Sequence, residues 1–244
     1  PLEIELGDPK KKKGERALMT LFQQNLPRSS WPDSEDRDGY LRTAKIMLPI
    51  YIRAHKYLAS TGWISSVKLR RPVDAKKNPL PWYTYPSIYF LDTQDLSKLK
   101  VFEYGSGSST LWWSERALSV TAVEHHQGWY DEISLRIPKS TKYIFQEMEY
   151  GGDYGRMAEM QNTKFDIIVI DGRDRVNCAK SSLNALSDNG IIVWDNAERE
   201  RYSDGYNLLL AEGFKRLDFY GHGPINTNSW LTSIFYRADN CLGI

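Results

Sequence analysis

The sequence predicts an α/β chain built on a Rossmann-like, seven-stranded, mostly parallel sheet, with a helical or irregular layer ahead of it. Three observations predict this. From Lys100 onward, short apolar runs alternate with amphipathic segments, the pattern of βαβ units. A turn carrying Gly105 and Gly107 sits where the first run passes into its helix, the place where such sheets receive ligands. The final two runs are joined by a stretch without helical spacing, so the last strand is expected to lie antiparallel.

Taken in order, residues 1–80 are expected to form the N-terminal layer and residues 81–244 the sheet domain. The run Lys10 to Lys13 suits either a solvated tail or a contact with an anionic surface or nucleic acid. Residues 42–61 carry apolar side chains at helical spacing, with Pro49 expected as a kink or boundary and Gly62 as the stop. Residues 69–92 are rich in proline and aromatics; leaving Trp82, Tyr83, Tyr85 and Tyr89 wet would be costly. They are expected either to wall a site or to pack the helical layer onto the sheet. Strands follow at 101–105, 120–124, 142–147, 165–171, 191–196, 214–221 and 229–237, and helices at 109–117, about 129–135, 176–186 and 203–212.

Composition narrows the class. The chain has 244 residues, 41% of them hydrophobic, enough for a sizeable core. Residues 1–100 hold 18 Lys/Arg against 11 Asp/Glu and the remainder 14 against 20, so a net charge of +1 hides two oppositely charged halves. Cys178 and Cys241 stand in no disulfide or zinc spacing and are expected to be free thiols. No run approaches the ~18 apolar residues of a membrane span, and the N-terminal stretch does not read as a signal peptide, so a cytoplasmic protein is expected.

The segment Glu103 to Thr110 (EYGSGSST) carries the chemistry of the first turn. Its glycines allow close backbone approach to a ligand, and Glu124 follows Gly105 by 19 residues, at the end of the second strand, where a carboxylate accepts ribose hydroxyls. A dinucleotide fold would place a third glycine at the position held by Thr110, and an acid at Glu103 suits a cationic ligand better than a pyrophosphate. The residues from about Pro81 onward resemble the class I S-adenosylmethionine-dependent methyltransferases. The resemblance implies a Rossmann-like methyltransferase fold in which Glu103, Gly105, Gly107 and Ser108 cradle the amino-acid end of the cofactor. It implies that Glu124 holds the ribose, with His125 flanking the adenosine, and that one of Glu147, Glu149 or Asp153 approaches the adenine.

The fourth and fifth runs end in Asp171 and in Asp195–Asn196, three oxygen donors at one sheet edge that suit Mg²⁺. Here the chain resembles the metal-dependent O-methyltransferases of the catechol, caffeoyl-CoA and macrolide-sugar types. It departs from the catechol type in holding Asp174 where a lysine base is implied. The other reading has Asp171 touching the cofactor while Asp195 and Asn196 cap a turn. Asp171 and His222 are the candidate catalytic groups; Trp82, Tyr83 and Tyr85 are candidate walls for the acceptor, and Arg173 and Arg175 either bind an anionic substrate or form surface ion pairs. The expectation is an enzyme that methylates a hydroxyl of a small molecule, such as a sugar or natural product, rather than nucleic acid or a membrane component, with a homo-oligomer left open. Two rivals stand beside it: a nicotinamide-dependent oxidoreductase, and a non-catalytic protein that keeps the fold.

Overall fold

In a computed structural model of the chain, the described residues are 37–244 together with positions 17, 20 and 24; the Lys10 to Lys13 run lies outside them. The chain divides into two compact units, Pro1–Ser60 and Thr61–Ile244. In the first, helix α1 (Arg37–Ser60) runs through Pro49 without a break. The expected boundary is absent: a proline removes one amide donor and crowds one carbonyl, but the good helix formers on either side carry the helix across it.

The second unit holds the sheet. Its strands are β1 (Lys100–Tyr104), β2 (Ser119–Glu124), β3 (Lys142–Phe145), β4 (Phe165–Ile170), β5 (Leu186–Asp195), β6 (Lys215–Gly221) and β7 (Trp230–Tyr236). They lie in the order β3-β2-β1-β4-β5-β7-β6, with β7 antiparallel to both its neighbours and the other pairings parallel. This is the fold class the sequence predicts. Helices α4 (Ser108–Ser114), α5 (Gln127–Ser134), α7 (Arg175–Ala185) and α8 (Ser203–Ala211) fill the crossovers, with a short turn of helix, α6 (Asp153–Arg156), after β3.

Both faces of the sheet are covered, which is why its central strands read as continuous apolar runs. Phe102, Tyr104, Ile168, Ile170, Ile192 and Trp194 enter one hydrophobic cluster, while Val101, Ile167, Val169, Ile191 and Val193 enter the other. The period of two puts Glu103, Asp171 and Asp195 on the side of the second cluster. That face is covered partly by α3 (Tyr85–Asp92), a helix the proline-rich composition conceals; Pro86 occupies its first turn, where a missing amide costs nothing. The unit also takes in α2 (Trp63–Leu69) and a bridge between Val73 and Pro79, where Ser66 Oγ donates to the Val73 carbonyl and accepts from its N–H. Strand β5 starts earlier than its apolar run, because Leu186 pairs with Phe165 and an irregularity in the register absorbs the polar residues that follow.

Candidate active site

The carboxyl ends of β1, β2, β4 and β5 open into a cleft of about 630 Å³. Its floor is the turn after β1. Gly105 adopts φ +94°, and a Cβ there would stand 3.1 Å from the backbone of Gly172, so the turns after β1 and β4 touch and leave no room for a side chain. Glu103 lies behind this turn, fully buried. Thr110 Oγ1 donates to Glu103 Oε2 at 2.5 Å and accepts the Gly107 N–H at 3.0 Å, and the Ser109 hydroxyl also lies against the carboxyl. Burial lifts the Glu103 carboxyl to about 7, against the pull of the Ser109 and Thr110 hydroxyls.

Glu124 reaches the cleft from the end of β2. Its Oε1 accepts the backbone N–H groups of His125 and His126, both at 2.9 Å, with His125 Nδ1 3.0 Å away, and its Oε2 accepts the Ser106 hydroxyl at 2.8 Å. Burial acts to raise this carboxyl, but those hydrogen bonds outweigh it and hold the pKa below the ordinary value. Trp129, from the first turn of α5, donates its indole N–H to the Ser106 carbonyl at 2.8 Å and overhangs the floor.

At the far side the ends of β4 and β5 are bound together by Arg175. This buried guanidinium donates to the carbonyls of Asp171 (3.1 Å), Gly172 (3.0 Å) and Asp195, and pairs with Asp171 Oδ1 at 3.0 Å. Asp195 Oδ1 accepts from Trp230 Nε1 at 2.8 Å and Thr232 Oγ1 at 2.7 Å. Burial pushes both aspartyl carboxyls up, their mutual repulsion adds to this for Asp195, and Arg175 pulls both down. Nothing in this arrangement supports the sequence-predicted metal set of Asp171, Asp195 and Asn196. Oδ1 of Asp171 and Oδ1 of Asp195 are each taken by protein donors, and the Arg175 guanidinium stands beside both carboxyls. Among the described residues no group of three or more His, Cys, Asp or Glu is placed to hold a metal ion.

Of the residues singled out from sequence, the cleft gathers Gly105, Glu124, His125, Asp171, Asp195, Asn196, Trp82 and Arg173. Glu103, Gly107 and Ser108 support its floor from behind. Tyr83 and Tyr85 do not wall the acceptor: Tyr83 is fully buried in the core beside Trp113, and Tyr85 belongs to α3. His222 is exposed and does not line the cleft; what anchors its loop is its carbonyl, which accepts from the Tyr85 N–H at 2.7 Å. Glu147, Glu149 and Asp153 likewise line no part of it, and Asp153 is paired with Arg156. Ser106, Trp129, Arg199, Asn226 and Trp230 were not foreseen as lining residues. Trp129 and Ser106 carried a local signal, an aromatic opening the helix after β2 and a hydroxyl inside the glycine turn. Arg199 and Asn226 come from distant loops and Trp230 opens β7, and none of them carried a signal.

No family model matches this chain, and no curated protein does. Among solved structures it is similar to a methyltransferase-like protein of Silicibacter pomeroyi, at 17% identity over 65% of this chain and 89% of that one, TM-score 0.44. An rRNA methylase of Streptococcus thermophilus aligns at 14% identity over 62% of this chain and 96% of that one, TM-score 0.45. The N-methyltransferase NodS of Bradyrhizobium japonicum, in complex with S-adenosyl-L-homocysteine, aligns at 14% identity over 58% and 79%, TM-score 0.40. At these levels nothing of the neighbours' chemistry carries across to this chain. Among the described residues no helix is long and apolar enough to cross a membrane.

Proposed function

We propose that the chain is an S-adenosylmethionine-dependent methyltransferase acting on a hydroxyl of a small molecule. The observation that carries this reading is Glu124: an ionised carboxylate fixed at the end of β2, at the wall of a cleft whose floor is bare backbone. Its Oε2 keeps lone-pair capacity for a ribose hydroxyl after accepting from Ser106. The buried Glu103 carboxyl behind the glycine turn gives the floor an acidic backing, which suits a ligand with a cationic end better than a pyrophosphate. A bound sulfonium nucleoside would supply the methyl group to the acceptor's oxygen by in-line displacement, leaving as a neutral thioether. In this reading Asp171, at the edge of the cleft and paired with Arg175, takes the acceptor's proton and passes it to solvent.

The test is ligand-dependent thermal stability. S-adenosylhomocysteine at about 100 times its Kd should add about 2.7 kcal/mol, seen as a raised Tm, while NAD adds nothing. Glu124→Ala should remove the nucleoside effect. Stabilisation by NAD alone, or an unchanged response in the variant, would reverse the assignment.

A further inference from the structure

The charge of the cleft changes from one side to the other. Beside Gly105 its walls carry Glu124, whereas beyond Asp171 they carry arginines. Arg175 is consumed by the strand-end carboxylates, but Arg173 is not: it is exposed, and its side chain makes no ion pair or hydrogen bond among the described residues. Arg199 has only a loose pairing with Glu198, at 3.6 Å. Past Arg173 lies a second hollow of about 310 Å³, which Arg173 also lines and where Arg201 stands 4.8 Å over the ring of Tyr202. The one carboxylate in that lining, Asp174, is buried and turned inward; Asn177 Nδ2 and the Gly151 N–H donate to its two oxygens, both at 2.8 Å.

A guanidinium left unpaired in a concave, partly aromatic surface is matched by an oxyanion, carboxylate or phosphate, that accepts two N–H groups at once. We infer that the methyl acceptor is anionic, with a carboxylate or phosphate ester held by Arg173 in the second hollow while its hydroxyl lies beside Asp171. This rests on the methyltransferase reading for the reaction, though not for the anion site itself. The 310 Å³ of the hollow accommodates a small acid rather than a polymer.

Calorimetric titrations test it, performed on the full chain both with saturating S-adenosylhomocysteine and without it. The probes are 4-hydroxybenzoate, glucuronate and glucose 6-phosphate, the neutral 4-hydroxybenzyl alcohol and glucose, and a short single-stranded RNA. At least one acid should bind about ten-fold more tightly than its neutral counterpart, and Arg173→Gln should cost it about ten-fold while the affinity for S-adenosylhomocysteine stays within about two-fold. The carboxylate and phosphate probes separate the two sources of the oxyanion. Equal binding of acids and neutral compounds, acid binding that survives Arg173→Gln, or binding of RNA alone overturns the inference. Failure of S-adenosylhomocysteine to bind overturns the methyltransferase reading instead, and the titrations without it still decide the anion site.

Discussion

Glu103 and the glycine turn are one hydrogen-bonded unit, because the Thr110 hydroxyl that donates to the carboxyl also accepts the Gly107 N–H. The carboxyl's folded pKa, about 7, stands above its ordinary 4.5. The folded chain therefore binds more protons than the unfolded one between those values, and stability from this group is full below pH 4.5 and lost as pH rises through 7. The total change is at most roughly 3 kcal/mol. Glu103→Gln keeps an acceptor for Thr110 and removes the titration, so its urea midpoint should fall less between pH 5 and pH 8 than that of the parent chain. Parallel pH profiles for the two would mean that Glu103 ionises as freely as an exposed acid. The acid and the glycines stand together in eight residues of sequence, which made the turn legible. The depth of the acid's burial was not legible, since it depends on what the fold brings over Glu103.

At the scale of elements, the cleft exists because the ends of β4 and β5 are held in register beyond their last ladder bonds, and Arg175 holds them. Its donors reach carbonyls on both strand ends, and its charge sits beside two carboxyls. Removing it leaves buried acids without a cation, which costs about 3–5 kcal/mol where such pairs have been broken. Arg175→Met should therefore lower the unfolding free energy by that order in urea, and adding Asp195→Asn should recover part of the loss. A loss below about 1 kcal/mol, with no recovery, would mean the guanidinium merely fills space. The strands themselves were legible, since two covered faces force continuous apolar runs. Arg175 was read as a substrate or surface residue because one of its partners, Asp195, lies twenty residues further along the chain on another strand end. Helix α3 was hidden for the opposite reason: a local composition of prolines and rings reads as irregular, and only packing against β6 and the core makes it a helix.

On the scale of the whole molecule, the half of the cleft built by consecutive βα turns was readable, and the half built by loops 196–202 and 223–230 was not. Loop side chains such as Arg199 and Asn226 meet the site only through the antiparallel insertion of β7 between β5 and β6, an arrangement without local periodicity. That insertion also fixes what the unit Thr61–Ile244 contains. Among the described residues, the members of both hydrophobic clusters, the bridge at Val73, the seven strands and the residues lining the cleft all lie inside it. A unit of this size that encloses its own core has what an independent folding domain needs. A chain beginning at Thr61 should therefore unfold in urea in one cooperative transition, and S-adenosylhomocysteine should raise its Tm as much as it raises that of the full chain. Cooperative unfolding without the nucleoside response would assign part of the binding site to residues 1–60. Loss of the transition itself would assign part of the core to them.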